Sequence, residues 1–392
     1  PTKQPKAHQL DALRRQLARA LQEKDEIAET LVLEHQKVSS LQQEVSRAKV
    51  SAAKAAEETT SRLQTEIEAL RAELDQSKAL IDVLNALNWL PPDQYHEGEA
   101  ATREMMLAFH DAAYLNALIH ANDPDCDQTL LREKFKIGTL DNPIYPGLFE
   151  RTSLLVGCAT LAADLAFQNH TVFFSAGGTH HGRPDRASGF CFTNDPVFAI
   201  KHWLDKGLER VAYVDFDAHH GDGVEDEFID DARVLTISIH EQKRWPNSGI
   251  NSTESALNFP VQKGFDDQEF SMLLRTKIHP ALDRFKPEAV LVMSGADALQ
   301  DDPLCGLSLS IPCLRESVLS VIDHAPIRMI VGGGGYNPWN AVRFWASLWA
   351  GLNHFPLPDP LPAGVRAILE GLEAPRIPKS RVRPEWLDRL DG

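Results

Sequence analysis

The densest chemistry in this 392-residue chain lies in the run Val214-Asp215-Phe216-Asp217-Ala218-His219-His220-Gly221-Asp222. In extended backbone, residues two apart project to one side, so Asp215, Asp217 and His219 can face a common point. Carboxylate and imidazole donors suit Zn²⁺, and a catalytic zinc commonly takes three protein ligands while keeping one position open. Asp217 and His219 supply two donors. A third must come from another loop, and Asp297, just past the apolar run Ala289–Met293, is the candidate. A surface turn with helix-capping aspartates would not need so many ligand-type side chains in one place.

Two further loops carry reactive side chains. The run Ser175-Ala176-Gly177-Gly178-Thr179-His180-His181 places two adjacent histidines in a glycine-rich segment. A lone histidine is commonly a packing residue; an adjacent pair beside a ligand cluster is less readily one, and Asp215 and Asp222 are candidates to hydrogen-bond the rings, setting tautomer and basicity. Gly332–Gly335 lets the backbone approach something closely and sets Tyr336 at the rim. That glycine run lacks the lysine of a phosphate-binding loop, which argues against nucleotide binding.

Such loops need rigid elements behind them. The apolar runs Thr171–Phe174, Val211–Val214, Val234–Ile239, Ala289–Met293 and Ile327–Val331 have strand length and end in turn residues. The gaps between them leave room for crossover helices, such as Glu104–His120 and Thr152–Asn169, as parallel pairing requires. The expectation is an α/β domain with a mostly parallel central sheet flanked by helices. Ligands in such sheets bind beyond the carboxyl ends of the strands, where these polar loops would converge.

The N-terminal segment differs. No Gly or Pro occurs between Pro5 and Pro91, a long helical signal. Leu10, Leu17, Leu31, Val38 and Val45 fall at heptad position a, with Leu13, Ile27 and Leu41 at d. The seam resumes at Leu63, Ile67, Leu70, Leu74, Ile81 and Leu84, displaced by four residues. The division expected is a coiled-coil helix over 1–58, joining a second copy or another helical partner, and a catalytic domain over 59–392.

Composition bounds the rest. Forty basic against 56 acidic residues leave a net charge of −16, which argues against an intrinsic nucleic-acid surface. No apolar run approaches the ~18 residues of a membrane span. Five cysteines without a CxxC pair fit a reducing compartment, so a cytoplasmic location is expected.

In order, the motifs FHDAAYL, GTLDNPIYPGLFE, GGTHHGRPDRASGFCFTNDPV, YVDFDAHHGDGVEDEF, SIHE, SGADALQDDPL and GGGGYNP resemble the zinc-dependent histone deacetylase family of the arginase/deacetylase superfamily. The likeness is to class I enzymes and to bacterial acetoin-utilisation and deacetylase-like proteins, and runs from about residue 80 to 355. It implies Asp217, His219 and Asp297 as ligands of one zinc. It also implies His180 with Asp215 and His181 with Asp222 as catalytic dyads, and Tyr336 polarising the substrate carbonyl. Asp141 would bind substrate backbone at the rim. Gly189, Phe190, Trp245 and Leu304 would flank the acyl-lysine. A structural potassium would use Asp215, Asp217, His219, Ser238 and Ile239.

Two departures stand out. The family's first strand and its Pro-rich loop are replaced here by the heptad helix, and Lys243-Arg244-Trp245-Pro246-Asn247-Ser248 differs from the usual aromatic-Pro-Gly rim. The function implied is deacetylation of acetyl-lysine or of a small acylated amine. A binuclear ureohydrolase would need a carboxylate two residues beyond Asp297, where Leu299 stands. A non-catalytic scaffold would have no need of Tyr336 and both histidines.

Overall fold

Among the described residues, five of the six strands lie where short apolar runs meet polar loops: β1 (Thr171–Phe174), β2 (Val211–Asp215), β3 (Val234–Glu241), β5 (Ala289–Met293) and β6 (Ile327–Val331). The sixth, β4 (Ala256–Val261), follows β3 at an edge of the sheet. The computed structural model describes residues 76–374 and 377–392, together with residues 37, 40, 41, 44–49, 51 and 54. Most of the heptad seam and the expected boundary at residue 58 lie outside the described residues. The chain divides into units 1–64 and 65–392, and the second holds the sheet and every site residue discussed below.

All pairings are parallel, in the order β1-β6-β5-β2-β3-β4. Alternate strand residues enter different cores, as a period of two requires. Ala212, Val214, Val290 and Val292 join one; Val211, Tyr213, Leu291 and Met293 join the other. Because helices cover both faces, these strands read as continuous apolar runs. The helices Leu148–Phe167 and Asp195–Asp205 contribute to the second core, where Trp203 is fully buried and donates to the Ala163 carbonyl at 2.9 Å. Ile311–Ile322 and Pro338–Leu352 contribute to the first.

Residues 76–86 are helical and bury Ala79, Leu80, Val83 and Leu84, spaced as one helical face, in the first core. Trp89 closes this segment: its ring stacks on Phe355 at 5.4 Å, and its carbonyl accepts from the Trp349 indole at 2.8 Å.

The helix expected over Glu104–His120 is two short ones, Arg103–Met106 and Ala112–Ile119. Between them the chain turns to bury Phe109 and His110 against Phe198, and Asp111 N–H donates to the Pro184 carbonyl at 2.8 Å. No described helix is long and apolar enough to cross a membrane.

Candidate active site

The loop after β2 is built on alternate side chains. Asp215 Oδ1 accepts from Asp217 N–H at 3.0 Å, and Asp217 Oδ1 accepts from His219 N–H at 2.9 Å. Each carboxylate thereby fixes the backbone two residues on, and the side chains stay on one side of the loop. Asp297 enters from the turn after β5, where its Oδ1 accepts from Ala218 N–H at 2.9 Å. Its Oδ2 lies 2.9 Å from His219 Nδ1, which is also 3.2 Å from Asp217 Oδ1. Asp217, His219 and Asp297 form a candidate metal-binding group, with one donor atom from each inside a span of 4.8 Å.

The chemistry of this donor set fits a divalent cation. Both carboxylates are sealed from solvent, at 1% and 0% exposure, and they sit beside each other. Burial, then the Asp217 charge, push the Asp297 carboxyl up to about 6. Burial opposes charge on Asp217 too, but His180 and His219 outweigh it and hold that carboxyl well below its usual range. Two buried carboxylates with an imidazole between them are better balanced by a metal dication than by a single shared proton.

The glycine run is dictated by the same carboxylates. Gly334 N–H donates to Asp217 Oδ2 at 2.8 Å, and a Cβ at Gly334 would fall 2.4 Å from Asp297 Oδ2. Gly333 has φ +135° and runs against Met293 and Gly295, so a side chain there is excluded both sterically and conformationally.

His180 and His181 stand side by side, ring centroids 3.9 Å apart, each with Nδ1 on a carboxylate. His180 meets Asp215 at 2.8 Å and His181 meets Asp222 at 2.7 Å, leaving both Nε2 atoms for the site. Their environments separate them. Burial disfavours charge on His180, yet Asp215 and Asp217 carry its pKa up to about 9. For His181, burial and then the neighbouring His180 outweigh Asp222, and its pKa falls to about 3.

A cavity of about 320 Å³ holds Asp217, His219, both histidines, Gly189, Phe190 and Tyr336 among its lining residues. The rim residues expected from sequence stand outside this lining but are tied to it. Trp245, 41% exposed, packs edge-on to His181 at 4.5 Å and against Gly189, where a Cβ would fall 2.2 Å from its ring. Asp141 reaches the wall through its carbonyl, which accepts from Phe190 N–H at 2.8 Å. Leu304 N–H donates to Asp302 Oδ1 at 2.8 Å, and Tyr336 N–H donates to Asp302 Oδ2 at 2.8 Å. Asp215 faces Ser238 across the β2–β3 ladder, one residue before Ile239.

Sequence reasoning missed the carboxylates that hold these loops. Asp195 accepts from Gly178 N–H, Thr179 N–H and the Thr179 hydroxyl, clamping the turn into His180. Arg183 occupies the second oxygen of Asp222. Asp302 and Glu241 do similar work nearby. Each reads in sequence as an ordinary turn or strand-end residue; only the buried partner far along the chain distinguishes it.

Residues 57–352 match the sequence model of the histone deacetylase domain. The chain is 33% identical to the acetoin utilization protein AcuC of Bacillus subtilis, over 70% of this chain and 76% of that protein. It is also 33% identical to histone deacetylase 8 of Xenopus laevis, over 64% of this chain and 80% of the relative. Among solved structures, an HDAC homologue from Aquifex aeolicus superposes with a TM-score of 0.75 at 30% identity, covering 80% of this chain and 87% of that one. An HDAC homologue complexed with SAHA gives the same TM-score at 29% identity, with the same coverage.

Proposed function

This chain belongs to the histone deacetylase family, a deacetylase hydrolase acting on acetylated substrates, and from that premise we propose that it is a mononuclear zinc enzyme removing acetyl groups from acetyl-lysine or a small acylated amine. The observation that carries the reading is the meeting of Asp217, His219 and Asp297 with two separately tuned His–Asp dyads at one cavity.

A zinc ion held by that trio would supply Lewis acidity toward the amide carbonyl and the attacking water. His181, neutral and fixed by Asp222, accepts the proton of that water at Nε2 and returns it to the departing nitrogen. His180, paired with Asp215, assists electrostatically as negative charge develops. The Tyr336 hydroxyl donates to the carbonyl oxygen as it becomes anionic. Acetate and a free amine leave.

Asp141 engages the substrate backbone, while Gly189, Phe190, Trp245 and Leu304 flank its side chain and favour a short acyl group. Main-chain oxygens of Asp215, Asp217, His219, Ser238 and Ile239, with the Asp215 and Asp217 carboxylates, would hold a structural potassium. Five free cysteines favour a cytoplasmic setting, and the heptad seam favours association with a second copy.

The test is acetate release from a panel of acyl-lysine peptides and acetylpolyamines. Turnover of acetyl-lysine peptide, lost in Asp297→Ala together with bound metal, is expected. Turnover that persists in that variant overturns the assignment.

A further inference from the structure

A chain of hydrogen bonds ties the Trp245 segment to two loops that line the cavity, and its central member is a residue with no part in the chemistry above. Arg244 immediately precedes Trp245. Its Nε donates to Glu241 Oε2 at 2.7 Å, and its Nη1 donates to the Leu304 carbonyl. Glu241, the last residue of β3, is only 8% exposed, and the same Oε2 accepts from Gly306 N–H at 2.7 Å. Its own N–H donates to the carbonyl of Ala218, between Asp217 and His219, at 3.0 Å. On the far side, Leu304 N–H is bonded to Asp302, which also holds Tyr336 N–H. The segment bearing Trp245, the segment bearing Leu304 and the tyrosine loop are thus connected through one guanidinium and two carboxylates, and the metal-ligand loop joins them through the Glu241 main chain.

We propose that Arg244 is a specificity-determining positioning residue, which fixes the clearance between Trp245 and the Gly189–Phe190 wall so that only a slender, unbranched amine side chain passes. This rests on the amide-hydrolase reading of the site. The geometry gives the reason. Trp245 already lies in contact with Gly189 and His181, so the space available to a substrate stem depends on how far its segment can retreat. A guanidinium bonded both to a buried carboxylate and to a main-chain carbonyl resists that retreat, because moving it would break charge-assisted bonds in a partly desolvated place. An alkylamine stem needs little more than the width of a methylene chain. An aryl ring needs the segment to move.

The experiment compares two peptides, one carrying acetyl-lysine and the other p-acetamidophenylalanine, as substrates of the full-length zinc-loaded chain. The wild type is expected to favour acetyl-lysine strongly. In Arg244→Gln, and separately in Glu241→Gln, the ratio of kcat/KM for the two should fall by at least about fivefold, a magnitude ordinary for a pocket that gains room. Bound metal should stay at the wild-type level. A purely structural role would lower both activities together and leave the ratio fixed, and an unchanged ratio in both variants overturns the proposal. A wild type that releases acetate from neither peptide overturns the hydrolase reading itself, a separate outcome.

Discussion

At the residue scale, the proposal assigns different work to two histidines of the same type, His180 and His181. His181→Ala is expected to keep its metal and lose about 10²- to 10⁴-fold in kcat, since a proton-transfer group is removed and no ligand is. Tyr336→Phe should likewise keep the metal and lower kcat more than it raises KM, because the hydroxyl acts on charge present only in the transition state. Metal analysis alongside kinetics checks both; loss of zinc from His181→Ala contradicts its role.

His110 offers a pH-dependent check away from the metal. Burial lowers its pKa from 6.5 to about 4, against the raising effect of the Pro184 and Arg183 backbone. Because the folded value lies below the unfolded one, its neutral form contributes stability fully above pH ~6.5. That contribution is lost as pH falls from there toward 4. Relative to His110→Phe, the wild type should lose about 3 kcal/mol across this window. Denaturant melts that stay parallel from pH 7 to 4 would contradict this.

At the element scale, the strands place the site and buried carboxylates hold its loops in shape. Asp195 is fully buried and clamps the turn leading into His180. Asp195→Ala leaves two backbone donors and a hydroxyl without their acceptor, so it is expected to destabilise the fold by about 2–4 kcal/mol and to lower kcat as well. A chemical denaturation curve superimposable on the wild type would count against the clamp.

This is also where sequence and structure part. β1, β5 and β6 were legible to the residue: β5 and β6 run through the sheet interior, and β1, though a partly exposed edge strand, is still a short apolar run ended by turn residues. β4 was not: as an edge strand it is half-exposed, carries Asn258 and tolerates Pro260, so no apolar run marks it. Asp217, His219, His180 and His181 stood out because ligand-type residues rarely crowd so closely. Asp195, Asp302 and Glu241 did not, since a single carboxylate near a turn looks the same whether it caps a helix or holds a catalytic loop.

At the scale of the whole molecule, the N-terminal segment spans the boundary between units 1–64 and 65–392. Its described end, residues 76–86, contributes Leu80, Val83 and Leu84 to the first core, each 0–3% exposed. Burying each stabilises the fold by about 2 kcal/mol, so removal of residues 1–88 is expected to give insoluble protein. Removal of residues 1–50 should leave kcat/KM nearly unaltered while changing the oligomeric state, because a heptad seam in water needs a covering helix. Light scattering decides: an unchanged assembly size after the 1–50 deletion would show that the seam does not join copies.

Whether one zinc per chain drives amide hydrolysis is decided by titrating chelator-treated protein with Zn²⁺ while recording acetate release from an acetyl-lysine peptide. Activity is expected to be absent at the start, to rise linearly, and to reach its plateau at one zinc per chain, in keeping with the one candidate metal-binding group among the described residues. Full activity before any zinc is added, or a plateau only at two ions per chain, would contradict it.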